Sequence, residues 1–486
     1  MKLSELFSEV EYDGSIEKDV EIDLVTDDSR LVKDDTLFVC VNHRSFDGHT
    51  VAAEALEKGA AAVVTQQRLG LPSELCVADT RAVYARLCAA LYHHPERKLK
   101  MIGVTGTNGK TTVTTVLRDI LEYSGIKTLL LGTVYNCFGD ECTLSTLTTP
   151  KPPELYELLD KAVRSDCKAC VAEISSQALA QGRVEGIEFD SAVFTNITRD
   201  HLDYHGTFEH YLNAKKHLFE HSTVSVVNLD SPYFSDIAAS AAGKIISFSS
   251  VLDCADYTAK NISLKDGSVS FELVSRGQIF HIDFASPGIF SVSNASAAAV
   301  CALTLGVKSE DISAALKKSK GAQGRLERVD CQAPFAVVID YAHTPDGIEQ
   351  VLRALRPSCK GRLTILFGCG GDRDREKRPL MCAAACKYAD AVIVTSDNPR
   401  SEDPNRIIDD ILKGADGRHC RMSVEPDRRA AIALALKNAS PGDTVLLAGK
   451  GHEKYQLING ERLPFDERKI VGEILGLSHD TGRKKQ

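Results

Sequence analysis

Nowhere in the 486 residues does an apolar run approach the ~20 that a membrane-spanning helix requires, and no membrane insertion is expected. The first residues, Met1-Lys-Leu-Ser-Glu-Leu6, turn acidic at once and carry no signal-peptide core, which reads as a cytoplasmic chain. Long Lys/Arg runs are missing too, and the formal net charge is −9. Nucleic-acid binding normally needs a basic face, so no nucleic-acid partner is expected. The short tail Arg483-Lys-Lys-Gln486 reads as a frayed end. Cys167-Lys-Ala-Cys170 has no second C-x-x-C at zinc-finger spacing, so packing between a helix and a strand is the better reading than a metal or redox site. The 15 cysteines are odd in number and scattered through expected strands and helices (Cys40, Cys88, Cys301, Cys382, Cys386). This suits reduced, buried thiols.

What is present is the composition of a soluble globular protein, 43% hydrophobic and 26% charged. The length exceeds one ordinary core, so several domains are expected.

The most informative stretch is Gly103-Val-Thr-Gly-Thr-Asn-Gly-Lys-Thr-Thr112. A short strand precedes it at Leu99-Lys-Met-Ile102. Val113, Val116, Leu117, Ile120 and Leu121 follow at helical spacing. Strand, Gly-rich turn, Lys-Thr and helix make a P-loop: backbone N–H groups and a helix N-terminus converge on phosphate. Lys110 would reach the terminal phosphates and Thr111 would sit on Mg²⁺. The strict spacing wants Gly at 104, where the chain has Val104, and an ordinary Gly-rich turn is the competing reading. The flanking strand and helix favour phosphate.

Around this stretch the chain reads as α/β in three domains. Residues 1–98 form a small N-terminal α/β unit. A central P-loop parallel-sheet ATPase follows at 99–325, and a C-terminal Rossmann-like α/β unit at 326–486. Strand ends would deliver Glu173, Asn196 and His201 near the phosphates, since ligands of open parallel sheets lie beyond the carboxyl ends of strands. Glu173 and His201 could ligate Mg²⁺ or could belong to hydrogen-bonded turns. A helix is expected from Phe208 to Phe219, and by pattern alone Lys215 and Lys216 lie on its solvated face. Another helix is expected after Asn294. In the last unit, Asp340, Arg373, Asp397, Arg400 and Glu453 follow strands and would converge in a mixed-charge pocket. Such a pocket suits a ligand with both ammonium and carboxylate groups.

These residues carry a resemblance. Asp28-Ser-Arg30, Gly106-Thr-Asn-Gly-Lys-Thr-Thr112, Thr148-Thr-Pro150, Glu173-Ile-Ser-Ser176, Asp200-His-Leu-Asp-Tyr-His205, Gly324-Arg325, Asp340-Tyr-Ala-His-Thr-Pro345, Asp397-Asn-Pro-Arg400 and Gly449-Lys-Gly-His-Glu453 together resemble the Mur ligases over nearly the whole chain. Within that family they look like the branch that adds the third amino acid of the peptidoglycan stem. The resemblance implies an ATP- and Mg²⁺-dependent ligase of cell-wall synthesis. Its implied substrates are UDP-N-acetylmuramoyl-L-Ala-D-Glu and meso-diaminopimelate, and a monomer is expected.

The resemblance also distributes roles. Ser29, Thr148, Thr149, Ser175, Gln181 and Arg183 would hold the UDP-sugar peptide. Gly106, Thr107, Asn108, Gly109, Lys110, Thr111 and Thr112, with Asn294, Arg325 and Asp340, would hold ATP. Arg373, Asp397, Asn398, Pro399, Arg400, Gly449 and Glu453 would hold the amino acid. Thr111, Glu173, His201 and a CO₂-carbamylated Lys215 would serve Mg²⁺, with Lys110, Lys215 and His201 as catalytic residues. Gln177, Leu147 and Ser291 depart from the family pattern. Arg400 suits meso-diaminopimelate because its distal carboxylate can pair with a guanidinium, which L-lysine's lone ammonium cannot. The same ligase acting on L-lysine, and a P-loop nucleotide-binding regulator without ligase activity, stay open as alternatives.

Overall fold

The computed structural model describes residues 1–44, 46–139, 141–265, 267–415 and 420–476. The Arg483–Gln486 tail lies outside them.

The parallel pattern expected from alternating strands and helices is present in three separate sheets. The first has four parallel strands, Leu24–Thr26, Thr36–Val39, Ala60–Thr65 and Glu74–Cys76, in sequence order. In the second, of eleven strands, the P-loop strand Lys100–Thr105 lies between Ala169–Glu173 and Phe189–Phe194, both parallel to it. The third has six strands, and only its edge pair Glu327–Val329 and Ala336–Asp340 runs antiparallel. Parallel strands bunch their carboxyl ends on one edge, so the loops of the second and third sheets collect the candidate site residues there.

The helix after the P-loop, Lys110–Tyr123, buries Val113, Val116, Leu117, Ile120 and Leu121, the stripe expected from the spacing. Each such side chain contributes about 1.5–3 kcal/mol on burial. The helix Ile289–Thr304 packs against it in one cluster. This helix begins before Asn294, not after it, starting where Gly288 adopts φ 90°. Antiparallel pairings extend the central sheet beyond its parallel core, through Tyr135–Phe138 and Glu141–Leu144 at one edge and, at the other, through Ser268–Ser275 and Gln278–Phe284 laid on the parallel strand Tyr257–Lys265.

Cys40, Cys88, Cys301, Cys382 and Cys386 are buried free thiols, as expected, and Cys167 and Cys170 are likewise free and buried. Two findings correct the reading of uniformly reduced, buried cysteines. Cys254 is exposed. Cys137 and Cys142 form a disulfide, because the hairpin register places them directly opposite each other with Cα atoms 4.2 Å apart.

The last sheet is tied to the C-terminal helix Glu467–Ile474 by an ion pair fully out of solvent. Arg428 Nε and an η nitrogen donate to Glu467 Oε1 at 2.9 and 2.8 Å, and the same end of Arg428 donates to Ala448 O at 2.8 Å. Removing one partner would leave a buried unpaired charge. Arg428→Ala is therefore expected to lower the stability of this unit by about 3–5 kcal/mol, read from urea unfolding followed by circular dichroism.

Candidate active site

The P-loop is held by the chain that follows strand Phe189–Phe194. Thr107 N donates to Asn196 O at 2.9 Å and Asn108 N to Asn196 Oδ1 at 2.9 Å. Asn108 O accepts from Thr195 Oγ1 at 2.6 Å and from Asn196 Nδ2 at 3.1 Å. Gly109 stands at φ 89°, and a Cβ there would lie 2.5 Å from Asn294 Oδ1, so both conformation and space demand glycine. Thr107 Oγ1 and the Tyr211 hydroxyl meet at 2.8 Å.

Two ammonium groups converge under this loop. Lys110 Nζ donates to Gly106 O at 2.9 Å and Thr107 O at 3.0 Å, and Lys215 Nζ donates to the same Gly106 O at 2.9 Å. Burial lowers the pKa of both, and for Lys215 the neighbouring Lys110 adds to the effect. Lys215 also sits over the Tyr211 ring, 4.6 Å from its centroid. The periodic reading of Lys215 as solvated is thus corrected: it is only 1% exposed. It occupies the same helical face as Tyr211, Leu212, Leu218 and Phe219, which the helix Phe208–Glu220 turns inward.

Glu173, at the end of its strand, is buried. Its Oε2 accepts from Thr111 Oγ1 at 3.0 Å and Thr133 Oγ1 at 2.9 Å, and Oε1 accepts from Thr133 N at 2.8 Å. A carboxylate beside the P-loop hydroxyl supplies the hard oxygen donors that Mg²⁺ prefers, with phosphates and water completing the shell. The other two expected ligands lean elsewhere: His201 Nε2 is 3.4 Å from Asp200 Oδ2, and Lys215 is on Gly106 O. Among the described residues, no group of three or more His, Cys, Asp or Glu side chains is set to hold a metal ion alone.

Asp200 is a further site residue that sequence reasoning left as part of a motif. His201, His343 and Lys377 approach its carboxylate to 3.4, 3.8 and 3.6 Å, the last two from the C-terminal unit. Burial pushes its pKa upward, but His201, Lys377 and His343 outweigh that and hold it below the usual carboxylate range. The P-loop receives two more contacts, one from the C-terminal unit and one from Arg325 at the end of the central unit. Asn108 Nδ2 donates to Asp346 Oδ2 at 3.0 Å, and an Arg325 η nitrogen to Thr111 Oγ1 at 3.3 Å.

A cavity of roughly 1030 Å³ opens beside the loop. Asn108, Gly109, Thr112, Asn294, Arg325 and Asp340 of the expected nucleotide set line it. Asp340 accepts from Leu326 N and Ala342 N, both at 2.7 Å, and burial raises its pKa. It therefore faces the nucleotide side and not the mixed-charge pocket in which its strand position suggested it.

The residues expected to hold the UDP-sugar peptide largely form one network. Arg183 donates to Thr149 O at 2.7 Å and to Gln181 Oε1 at 2.9 and 2.6 Å, and Gln181 reaches the Tyr204 hydroxyl at 3.2 Å. Ser175 N donates to Thr149 Oγ1 at 3.0 Å, and Thr133 Oγ1 to Thr148 Oγ1 at 3.2 Å. Ser175 also caps the helix Ser176–Ala180 that carries Gln177. Ser29 stands apart from these contacts. Its neighbour Asp27 joins the N-terminal unit to this region through Lys151 Nζ at 3.2 Å. Of the remaining departures, Ser291 donates to Pro287 O at 2.7 Å, and Leu147 is 39% exposed with its carbonyl taken by Ser145.

A second pocket, of roughly 190 Å³, brings Arg373, Asp397, Asn398, Arg400, Gly449 and Glu453 together with Asp200, His201 and Lys377. Pro399 is not on its wall; its carbonyl packs against Gly371. Arg400 donates to Gly371 O at 2.7 Å, and burial lowers its pKa. Burial and the Asp397 charge push the Glu453 carboxyl upward. Lys450, buried behind these groups, was not singled out from the sequence.

A P-loop with a carboxylate at its threonine, carried on a parallel sheet and joined to a second α/β unit, is the arrangement of an ATP-using enzyme of the P-loop class. The family model for the Mur ligase middle domain matches residues 104–302, and that for the Mur ligase, glutamate ligase domain matches 324–451. The chain belongs to the Mur ligase family.

Its relatives include the UDP-N-acetylmuramoyl-L-alanyl-D-glutamate–2,6-diaminopimelate ligase of Caldanaerobacter subterraneus subsp. tengcongensis, 42% identical over 98% of this chain and 100% of that one. The corresponding ligase 1 of Clostridium acetobutylicum is 41% identical over 98% and 99%. A solved structure of a ligase with the same descriptive name matches with a TM-score of 0.71 at 34% identity, covering 99% of this chain and 100% of that one. Among the described residues no helix is long and apolar enough to cross a membrane.

His205, buried with Nε2 3.0 Å from Ser176 Oγ, has its pKa lowered to about 4 by burial and the nearby positive groups. The unfolded chain therefore binds this proton first as pH falls. Stability is expected to be complete above about pH 6.5 and to decline as pH drops towards about 4, with the His205 ring signals titrating near the lower value by NMR. His205→Gln is expected to flatten the pH dependence of unfolding in that window.

Proposed function

We propose that this chain is an ATP-dependent amide ligase of peptidoglycan precursor synthesis, joining meso-diaminopimelate to the D-Glu carboxylate of UDP-N-acetylmuramoyl-L-Ala-D-Glu. The observation that carries this reading is the second pocket. It sets a guanidinium, Arg400, beside the carboxylates of Asp397 and Glu453, within one cavity that also reaches His201 and Asp200. An amino-acid centre presents one carboxylate and one ammonium, and this wall offers a partner to each. The relatives named for the 2,6-diaminopimelate ligase activity support the same choice.

A free carboxylate is a poor acyl donor, since its leaving group would be oxide. Transfer of the γ-phosphoryl of ATP to the D-Glu carboxylate oxygen gives an acyl phosphate and ADP. The neutral amine of the diamino acid attacks the acyl carbon, the C–O bond to phosphate breaks, and the amine proton is lost as the amide forms. The protein's share is positioning and charge compensation between two mutually repelling anions.

Lys110 and the backbone N–H groups of residues 106 to 112 bind the phosphates. Arg325 and Asn294 flank the nucleotide, and Asp340 holds the turn at Leu326 and Ala342. Thr111 and Glu173 would hold Mg²⁺, which when bound neutralises phosphate charge. Lys215, whose ammonium form burial disfavours, can as the free amine add to CO₂ with loss of a proton and become an anion. Thr148, Thr149, Ser175, Gln181 and Arg183, with Ser29 from the N-terminal unit, would orient the UDP-sugar peptide. The division into 1–98, 99–325 and 326–486 belongs to the same proposal and is supported by each of the three large sheets falling within one segment. A monomer acting in the cytoplasm is part of the same proposal.

The test is phosphate release from ATP in the presence of the UDP-sugar dipeptide, with meso-diaminopimelate, with L-lysine, or with no amino acid. Release only with meso-diaminopimelate is expected. Release indifferent to the amino acid would overturn the ligase reading. Lys110→Ala is expected to fold but to retain less than about a hundredth of the activity, because it removes the cation at the transferring phosphoryl. Arg400→Ala is expected to raise the KM for meso-diaminopimelate far more than that for ATP; equal increases would point to misfolding or impaired closure.

A further inference from the structure

Behind the second pocket lies an ammonium with no access to solvent or ligand. Lys450 is 0% exposed. Its Nζ donates to Asn398 Oδ1 at 3.0 Å and to Tyr455 O at 2.8 Å, and stands 3.5 Å from Glu453 Oε2 and 3.7 Å from Asp397 Oδ1. One charge thus sits between two carboxylates, the side-chain amide beside them and the backbone of the hairpin Tyr455–Ile458 and Glu461–Pro464.

This arrangement leaves the pocket wall few alternatives. Asn398 Oδ1 accepts from both Lys450 Nζ and Leu457 N, the latter at 3.0 Å, so its NH₂ must face the other way. There it donates to Glu453 Oε2 at 2.8 Å. Asp397 is pressed so close to the backbone at Gly449, φ 110°, that a Cβ there would lie 2.5 Å from Asp397 Oδ2. Glu453 is therefore oriented through Asn398 and Lys450, while Asp397 is held against Gly449 with its other oxygen 3.7 Å from the same ammonium.

We propose that Lys450 is a positioning and specificity-determining residue of the amino-acid site. By compensating one of the two negative charges of Asp397 and Glu453, it leaves the wall a single net acidic charge beside Arg400. That balance fits a distal centre carrying both an ammonium and a carboxylate. Without Lys450 the wall carries two uncompensated carboxylates, which repel the distal carboxylate of a diamino diacid and favour a side chain bearing an ammonium alone. The inference rests on the amino-acid reading of the second pocket and adds to it a residue that never touches the ligand.

The test compares Lys450→Met, which keeps the length and removes the charge, with Lys450→Arg, which keeps the charge. The readouts are the KM values for ATP, for the UDP-sugar dipeptide and for each amino acid. For Lys450→Met, the preference in kcat/KM for meso-diaminopimelate over L-lysine is expected to fall about a hundredfold, through the amino-acid KM and with the ATP KM unchanged. Lys450→Arg is expected to restore part of that preference. A purely structural role would lower the use of both amino acids together and leave their ratio alone, and that result overturns the proposal.

Should Lys450→Met fail to fold, Asn398→Asp answers the same question. It retains an acceptor for Lys450 and Leu457 but loses the donor to Glu453, and it adds a negative charge to the wall. The same shift towards L-lysine is expected, and an unchanged ratio overturns the proposal. Wild-type protein that uses neither amino acid would instead overturn the functional reading beneath it, so the two failures are distinct.

Discussion

The carbonyl oxygen of Gly106 receives two lysines from different parts of the chain, and much of the central unit is arranged around that meeting. Lys110 opens the P-loop helix, while Lys215 comes from the helix Phe208–Glu220. Two like charges out of water repel one another and each loses its hydration, so the pair persists only with the ammonium form made less favourable and every polar contact satisfied. The Tyr211 ring covers one lysine while its hydroxyl fixes Thr107, so the helix that brings Lys215 also braces the loop. The loop's conformation and the position of that helix are consequently one constraint, and Asp200, His201 and His205 lie on the chain leading into it.

Asp200 does for the unit boundary what Gly106 does within the central unit. It is a carboxylate of the central unit surrounded by cationic and imidazole groups, two of them belonging to the C-terminal unit. The amino-acid pocket is thereby joined to the phosphate side through charge, which falls away when the units separate and water enters.

The sequence made legible what repeats along the chain and what has a fixed spacing. Apolar strands bounded by Gly-rich turns predict the parallel sheets, and the run from Gly103 to Thr112 predicts the loop and the buried stripe of its helix. Motif resemblance named Arg400 and Glu453, which line one pocket together, and Arg183 and Thr149, which share a hydrogen bond. The misses have physical reasons. Lys215 looks solvated because periodicity assigns a lysine to water, and only the tertiary position of Gly106 supplies its buried acceptor. Asp340 and Asp397 both follow strands of one sheet, yet backbone N–H groups turn the first towards the nucleotide cavity. The Cys137–Cys142 bridge depends on hairpin register, which a scattered cysteine count does not reveal. Lys450 enters only as a member of the motif from Gly449 to Glu453, because its partners come from tertiary contacts that spacing does not show.

The apolar clusters divide the molecule unequally. One runs without a break from Leu3 in the helix Leu3–Leu6 and Leu37 in the first sheet to Phe194 in the second sheet and Phe219 beside it. Those of the last sheet draw on residues from Leu326 onward. The first two units are therefore fused by oil, and the third is attached to them in large part by hydrogen bonds and charges such as Asn108–Asp346 and Asp200–Lys377. A chain built this way keeps the P-loop in a stiff block and carries most of the mixed-charge pocket on loops of a separately cored unit. Descent can then revise that pocket by altering a handful of loop residues, without disturbing the core on which the rest of the molecule folds.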